Sequence, residues 1–155
     1  MIKKKDSNSE YHSHDSISAS GLKTIYKKSV YHYLNQEQFV STPAMNFGSA
    51  VHSVLLEPEK KEILALPKNL NLRTKKDKEY KKQLISDNPD KIVVSGEEKD
   101  SLDQIAQNAM NNELANKLLF TLDEIEYSYY GTYEDVPVRI RPDGIKKGRY
   151  IIDIK

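Results

Sequence analysis

The run Val138-Arg139-Ile140-Arg141-Pro142-Asp143 is followed, nine residues after its aspartate, by Asp153-Ile154-Lys155. Two carboxylates and an ammonium at this spacing can hold a hard divalent cation and set a proton-handling group beside it, provided that both aspartates face the same way. Register decides this. A two-residue turn at Lys146-Lys147 would put Asp143 opposite Tyr150 and send Asp153 to the other side of the sheet. A three-residue loop Lys146-Lys147-Gly148, with Gly148 in the left-handed position, puts Asp143 opposite Ile151 and makes Asp153 its same-face diagonal neighbour, about 7–8 Å away at the backbone. Gly148 favours the second register. One face of the hairpin then reads Val138, Ile140, Pro142, Ile152 and Ile154, a core face; the other reads Arg139, Arg141, Asp143, Ile151, Asp153 and Lys155. Interior charges on a central strand cost several kcal/mol unless paired or metal-bound. A cross-strand ladder with Arg141 opposite Asp153 would satisfy them. So would Asp143 and Asp153 converging on Mg²⁺ or Mn²⁺, with Lys155 beside the metal to position or help deprotonate water. Periodicity leaves both open, and no Walker-type glycine loop, Ser-His-Asp order or zinc spacing competes.

The elements that must position these residues are read from period and caps. From Ile125 an alternation of Tyr127, Tyr129 and Tyr133 against Glu126, Ser128, Tyr130 and Thr132 predicts a strand. Val136 to Pro142 and Arg149 to Lys155 follow as two more, so a three-stranded meander closes the chain, with the apolar run Tyr150 to Ile154 central in its sheet. Upstream, Ser18 or Ser20 caps a short helix through Leu22, Ile25 and Tyr26, and Ser29 caps another through Leu34. Thr42-Pro43 opens a longer helix that Pro58 ends, with Met45, Val51, Val54 and Leu55 as its buried stripe. On it Gly48 and His52 lie one turn apart, where a small residue admits a close neighbour and His52 is a candidate ligand. A helix over Asn71 to Gln83 carries a local charge of +4 from Arg73, Lys75, Lys76, Lys78, Lys81 and Lys82 against Asp77 and Glu79. That is either a phosphate-binding face or a solvated one. Another helix runs from Ser95 to Met110, and Glu97 to Glu126 holds eight acidic residues against two basic. Residues 1–15 offer almost nothing to bury and read as a mobile leader, with 16–155 as the folded domain.

The 155 residues make one domain of polar composition, with mean hydropathy −0.71 and a formal charge of +1. The charge excludes a polycation. The absence of cysteine excludes a disulfide scaffold, a thiolate zinc site and a cysteine nucleophile. No apolar run approaches the roughly 20 residues of a membrane span, which points to a soluble, cytoplasmic chain.

Pro142-Asp143 followed by Asp153-Ile154-Lys155 resembles the PD-(D/E)XK nuclease signature. Upstream, in order, stand Tyr11-His12, Ile17-Ser18-Ala19-Ser20-Gly21-Leu22, Lys28-Ser29 with His32-Tyr33, and Phe47-Gly48-Ser49-Ala50-Val51-His52 with Leu55-Leu56-Glu57-Pro58-Glu59. This layout resembles the exonuclease VIII (RecE-type) nuclease domain of phage recombination systems, within the RecB-like group. The resemblance implies a restriction-endonuclease-like α/β core. It implies metal ligands at His52, Asp143, Asp153 and the Ile154 carbonyl, and Lys155 as the catalytic lysine. The implied activity is Mg²⁺-dependent degradation of linear double-stranded DNA from the 5′ end, leaving 3′ single strands for an annealing protein, by a ring-shaped homo-oligomer. Arg73, Lys75, Lys76, Arg139 and Arg141 become expected DNA contacts, and Glu126 a supporting group in the first strand. The chain departs from the pattern by stopping at Lys155, where such a fold normally continues through a helix and strand. The alternatives are therefore a truncated, non-catalytic DNA-binding or assembly fragment, or a RecB-like DNA repair endonuclease.

Overall fold

Serine, threonine and asparagine side chains set most helix starts, as the cap positions in the sequence lead one to expect. The computed structural model describes residues 1–35, 42–60 and 62–155. In chain order the first elements are β1 (Ile2–Lys4), α1 (Asn8–Ser13), β2 (Ile17–Ser18), α2 (Ala19–Lys27), α3 (Val30–Leu34) and α4 (Pro43–Leu56). Then come β3 (Ile63–Ala65), α5 (Lys75–Asp87), β4 (Ile92–Val94), α6 (Gly96–Asn111) and α7 (Glu113–Leu119). The chain closes with β5 (Glu124–Ile125), β6 (Ser128–Tyr133), β7 (Val136–Ile140), β8 (Gly144–Lys146) and β9 (Tyr150–Ile152). Ser18, Ser29 and Thr42 accept hydrogen bonds from Gly21, His32 and Met45, and Ser95 forms a reciprocal capping box with Glu98. Among the described residues no helix is long and apolar enough to cross a membrane. The chain divides into two compact units, Ser41–Thr121 and the pair of segments Met1–Val40 and Leu122–Lys155.

In the unit Ser41–Thr121, parallel strands β3 and β4 pair Ile63 with Ile92 and Ala65 with Val94. Ala50 of α4, Val94 of β4 and Leu102 of α6 form its core, with Phe47, Val51 and Val54 packed around them. The buried positions of α4 are Ala50, Ser53 and Leu56, whereas Met45, expected in the buried stripe, is 43% exposed. A small residue at Ala50 lets α4 lie against α6, and Ser53 tolerates burial by donating to Glu62 Oε2 at 3.2 Å. The basic helix begins at Lys75 rather than Asn71, because Thr74 caps it and Asp77 Oδ2 accepts the Asn71 N–H at 3.0 Å, holding the preceding residues in a turn.

The other unit contains the meander. A two-residue turn at Glu134 and Asp135, both with positive φ (47° and 63°), joins β6 to β7. Consecutive positive φ values belong to the mirror-image turn whose twist suits a hairpin. Tyr129 faces Ile140 in this pair, and Ile125 faces Gly144 in the β5–β8 pair. Four residues back on one strand match four residues forward on the other, so one long hairpin keeps its register through a break at Glu126–Tyr127 and Arg141–Asp143. β1 flanks β6 antiparallel, β2 flanks β7 parallel, and β9 extends β8, so the sheet is mixed. The apolar strand β9 therefore lies at the edge of its ladder, not at the centre.

Two further expectations are corrected here. The first fifteen residues are not without structure: they supply β1 and α1. The face they cover is the charged one. Arg139 is 8% exposed and Ser128 fully buried, while Ile140, assigned to the core face, is 51% exposed. Arg139 donates to the carbonyls of His14 (2.6 Å) and Ser16, and Arg141 donates to Asn8 Oδ1 (2.7 Å) and the carbonyls of Asp6 and Ser7. The Tyr11 ring lies against both guanidiniums, at 5.1 and 4.2 Å from ring centroid to the guanidinium carbon. The leader histidines are used locally: His14 stacks on Tyr130 at 4.2 Å, and burial, then the charges of Arg139 and Arg141, hold the His12 pKa below its ordinary value.

Candidate active site

The turn between β8 and β9 fixes the geometry of the aspartates. It spans Lys146 to Arg149, closed by Arg149 N–H donating to the Lys146 carbonyl at 3.0 Å, with Gly148 third at φ +68°. An alanine there would be strained, since only glycine adopts that φ freely. The loop residues are Lys147, Gly148 and Arg149, one position later than expected, and the register becomes Gly144 opposite Ile152. The pairing runs from Lys146 opposite Tyr150 to Gly144 opposite Ile152, so Asp143 stands just before β8 and Asp153 just after β9, at the same end of the hairpin. The same shift removes the ladder with Arg141 facing Asp153.

Asp143 is half-buried; its Oδ2 accepts the Ile154 N–H at 2.6 Å and its carbonyl accepts the Glu126 N–H at 3.0 Å. These bonds tie the first aspartate to the strand carrying the second and to the break in the first strand. Gly144 beside it is buried against Leu122, whose Cδ1 would lie 2.5 Å from an added Cβ, so the strand can approach there only without a side chain. Asp153 and Lys155 are exposed, 63% and 76% at the side chain, and form an ion pair with each other. Glu126 does not continue a strand as expected; it sits in the break with φ +50°, a conformation costly for a residue with a side chain.

His52 is half-buried on α4, in the unit Ser41–Thr121, and among the described residues nothing lies within 4 Å of the Cβ position of Gly48, where a close neighbour was expected. Among the described residues no three His, Asp or Glu side chains cluster in a way that could hold a metal ion. The two carboxylates that flank the β8–β9 hairpin are hard oxygen donors, the chemistry that a divalent cation of the Mg²⁺ or Mn²⁺ kind takes. Arg73, Lys75 and Lys76 stand exposed at the start of α5. Arg139 and Arg141 are committed to the N-terminal segment instead, which corrects their expected part as DNA contacts.

One cluster was not legible in the sequence. Glu124, 6% exposed, receives Lys3 Nζ at 2.8 Å, Lys147 Nζ at 3.0 Å and the Tyr129 hydroxyl. Lys3, then Tyr129 and Lys147, draw its pKa down to about 2, while burial and then Glu124 push Tyr129 up to about 12. Lys3 is 121 positions away, so no local pattern marks the contact. Because the folded-state pKa lies below the ordinary 4.5, the stabilisation is fully present above pH 4.5 and is lost as pH falls from there towards about 2. In urea unfolding at a series of pH values, the stability gap between parent and Glu124→Gln is expected to narrow through that window; a constant gap would mean that the carboxylate charge does not stabilise the fold.

A mixed α/β arrangement with Pro142-Asp143 just before one strand and Asp153-Ile154-Lys155 just after the next fits the restriction-endonuclease-like form. The chain belongs to the family described as PDDEXK-like domain of unknown function (DUF3799), whose model matches residues 18–155. No curated protein and no solved structure matches the chain. PDDEXK nucleases generally use divalent metals, and membership places the chain among nuclease-type domains.

Proposed function

We propose that the chain is a metal-dependent deoxyribonuclease that degrades linear duplex DNA from the 5′ end, leaving 3′ single strands for an annealing partner. What supports this reading is that Asp143 and Asp153 stand at the same end of the paired strands β8 and β9, with Lys155 ion-paired to the second of them. A divalent cation, Mg²⁺ by preference, supplies charge compensation at the phosphate oxygens and a more acidic water when bound there. Asp143 and Asp153 would hold it with the Ile154 carbonyl, and the Ile154 N–H orients one Asp143 oxygen. The Lys155 ammonium offsets negative charge on the phosphate and orients the attacking water. The exposed start of α5, with Arg73, Lys75 and Lys76, meets the phosphate backbone without reading sequence. The resemblance to exonuclease VIII-type domains also implies His52 as a ligand. His52→Ala is expected to weaken Mg²⁺ binding in calorimetry at least tenfold; unchanged binding would remove it from the set.

The activity is tested with 5′-phosphorylated linear duplex and covalently closed circular DNA, each with Mg²⁺. Loss of the linear substrate alone supports the exonuclease reading, and cutting of the circle makes the enzyme an endonuclease. A second reading, a module that binds DNA without cutting it, is favoured by the lack of a three-ligand group among the described residues. Retained binding with no cleavage would establish it. Ring assembly and a cytoplasmic site of action go with the first reading.

A further inference from the structure

The twenty residues from Ser16 to Asn35 contain no Asp or Glu, although the chain's overall acidic content, 23 of 155, would place about three there. They form β2 and the helix pair α2 and α3, in the same unit as Asp143 and Asp153. The pair closes on itself through small residues: a Cβ on Gly21 would lie 2.7 Å from the Tyr33 ring, so that tyrosine is spent on packing. The others are not. Tyr26 is 91% exposed and Tyr31 71%, and Lys23, Lys27 and Lys28 surround them with no ion pair to any described residue. On α2, Leu22, Lys23, Tyr26 and Lys27 are all exposed, so one ring and two ammonium groups lie on its solvent side, and Tyr31 is exposed on α3.

Large exposed aromatics among lysines, without a single carboxylate, match a nucleic-acid strand better than a protein. Protein interfaces are depleted of lysine at their centre. A single strand, by contrast, offers an unpaired base for each ring and a phosphate for each ammonium. We propose that the α2–α3 face binds single-stranded DNA, stacking bases on Tyr26 and Tyr31 while Lys23, Lys27 and Lys28 meet the phosphates. This rests on the nuclease reading in one respect: it names the strand separated or left behind by digestion as the occupant.

The test uses fluorescence anisotropy of the full chain in EDTA, with a labelled single strand of about 20 nucleotides and the blunt duplex of the same sequence. Tyr26→Ala with Tyr31→Ala is expected to weaken single-strand binding at least tenfold and duplex binding less than threefold. Tyr26→Phe with Tyr31→Phe, which keeps the rings, is expected to bind within twofold of the parent. Replacing Lys23, Lys27 and Lys28 by Gln is expected to flatten the salt dependence of binding. Unchanged affinity in the alanine pair overturns the proposal, as does a parent that binds no single strand yet forms a dimer that the same pair dissolves. The parent is assayed for cleavage in parallel. Tyrosine-dependent binding without cleavage would sink the nuclease reading alone, and cleavage with tyrosine-independent binding would sink this inference alone.

Discussion

Asp153→Asn is expected to lower Mg²⁺-dependent cleavage by at least about a thousandfold, roughly 4 kcal/mol of transition-state stabilisation, while leaving the fold intact. The carboxylate is 63% exposed and its partner is the equally exposed Lys155, so nothing packed depends on its charge. An exposed ion pair of this kind contributes little to stability. The asparagine keeps the shape but offers a metal a neutral amide in place of an anion. The neighbouring ammonium then has no charge to answer it, so the same variant should also weaken Mg²⁺ binding in calorimetry. Thermal unfolding of parent and variant should coincide within a few degrees. Equal turnover in the two proteins would remove the hairpin from the chemistry. Asp143→Asn provides the contrast. Asp143 Oδ2 accepts the Ile154 N–H, so an amide placed there has one orientation that keeps that bond and one that breaks it. A larger loss of stability is expected than at Asp153, together with a comparable loss of activity.

Helix starts, the meander and the two aspartates could all be read from the sequence because each is written in neighbouring residues: a capping hydroxyl, a period of two, a Pro-Asp before a turn. What escaped depended on distant ones. Lys146, Lys147, Gly148 and Arg149 allow a three-residue loop in more than one placement, and the choice between them is made by pairing along the whole of β8 and β9. A displacement of one residue puts Ile151 opposite Ile145 instead of Asp143 and removes the expected ladder of Arg141 facing Asp153. The inward and outward faces of the hairpin were assigned by apolarity, which is a sound rule when the only choice is core or water. Here a third option decided the matter. The segment before Ile17 brings carbonyls, Asn8 and Tyr11 to the arginines, and that polar wall buries Arg139 while Ile140, assigned to the core face, remains exposed. The strands β3 and β4 are three residues each, too short for alternation to stand out from their surroundings.

Arg139→Met is expected to destabilise the chain by about 3–5 kcal/mol, because a buried charge is removed from acceptors that nothing else can satisfy. Its guanidinium donates to the carbonyls of His12, His14 and Ser16 and to Ser16 Oγ, and it meets no carboxylate among the described residues. These carbonyls lie at and just beyond the end of α1, where a cation also answers the helix dipole. Methionine fills much of the volume but leaves those oxygens without donors and the Tyr11 ring without its cation. Arg139→Lys keeps the charge, yet a single ammonium cannot reproduce the fork that spans several carbonyls, so an intermediate loss is expected. The site of the damage separates this from a DNA-binding role. Hydrogen exchange should rise first in residues 2–18, which include β1, α1 and β2, and the salt dependence of DNA binding should stay as in the parent. A variant of parental stability with a flattened salt dependence would return Arg139 to the DNA-contacting surface and leave the N-terminal segment without its anchor. The expected result instead makes Tyr11-His12 and Arg139-Ile140-Arg141 one structural unit. The segment that leads to Asp143 is then held by the first residues of the chain before it and by the β8–β9 hairpin after it.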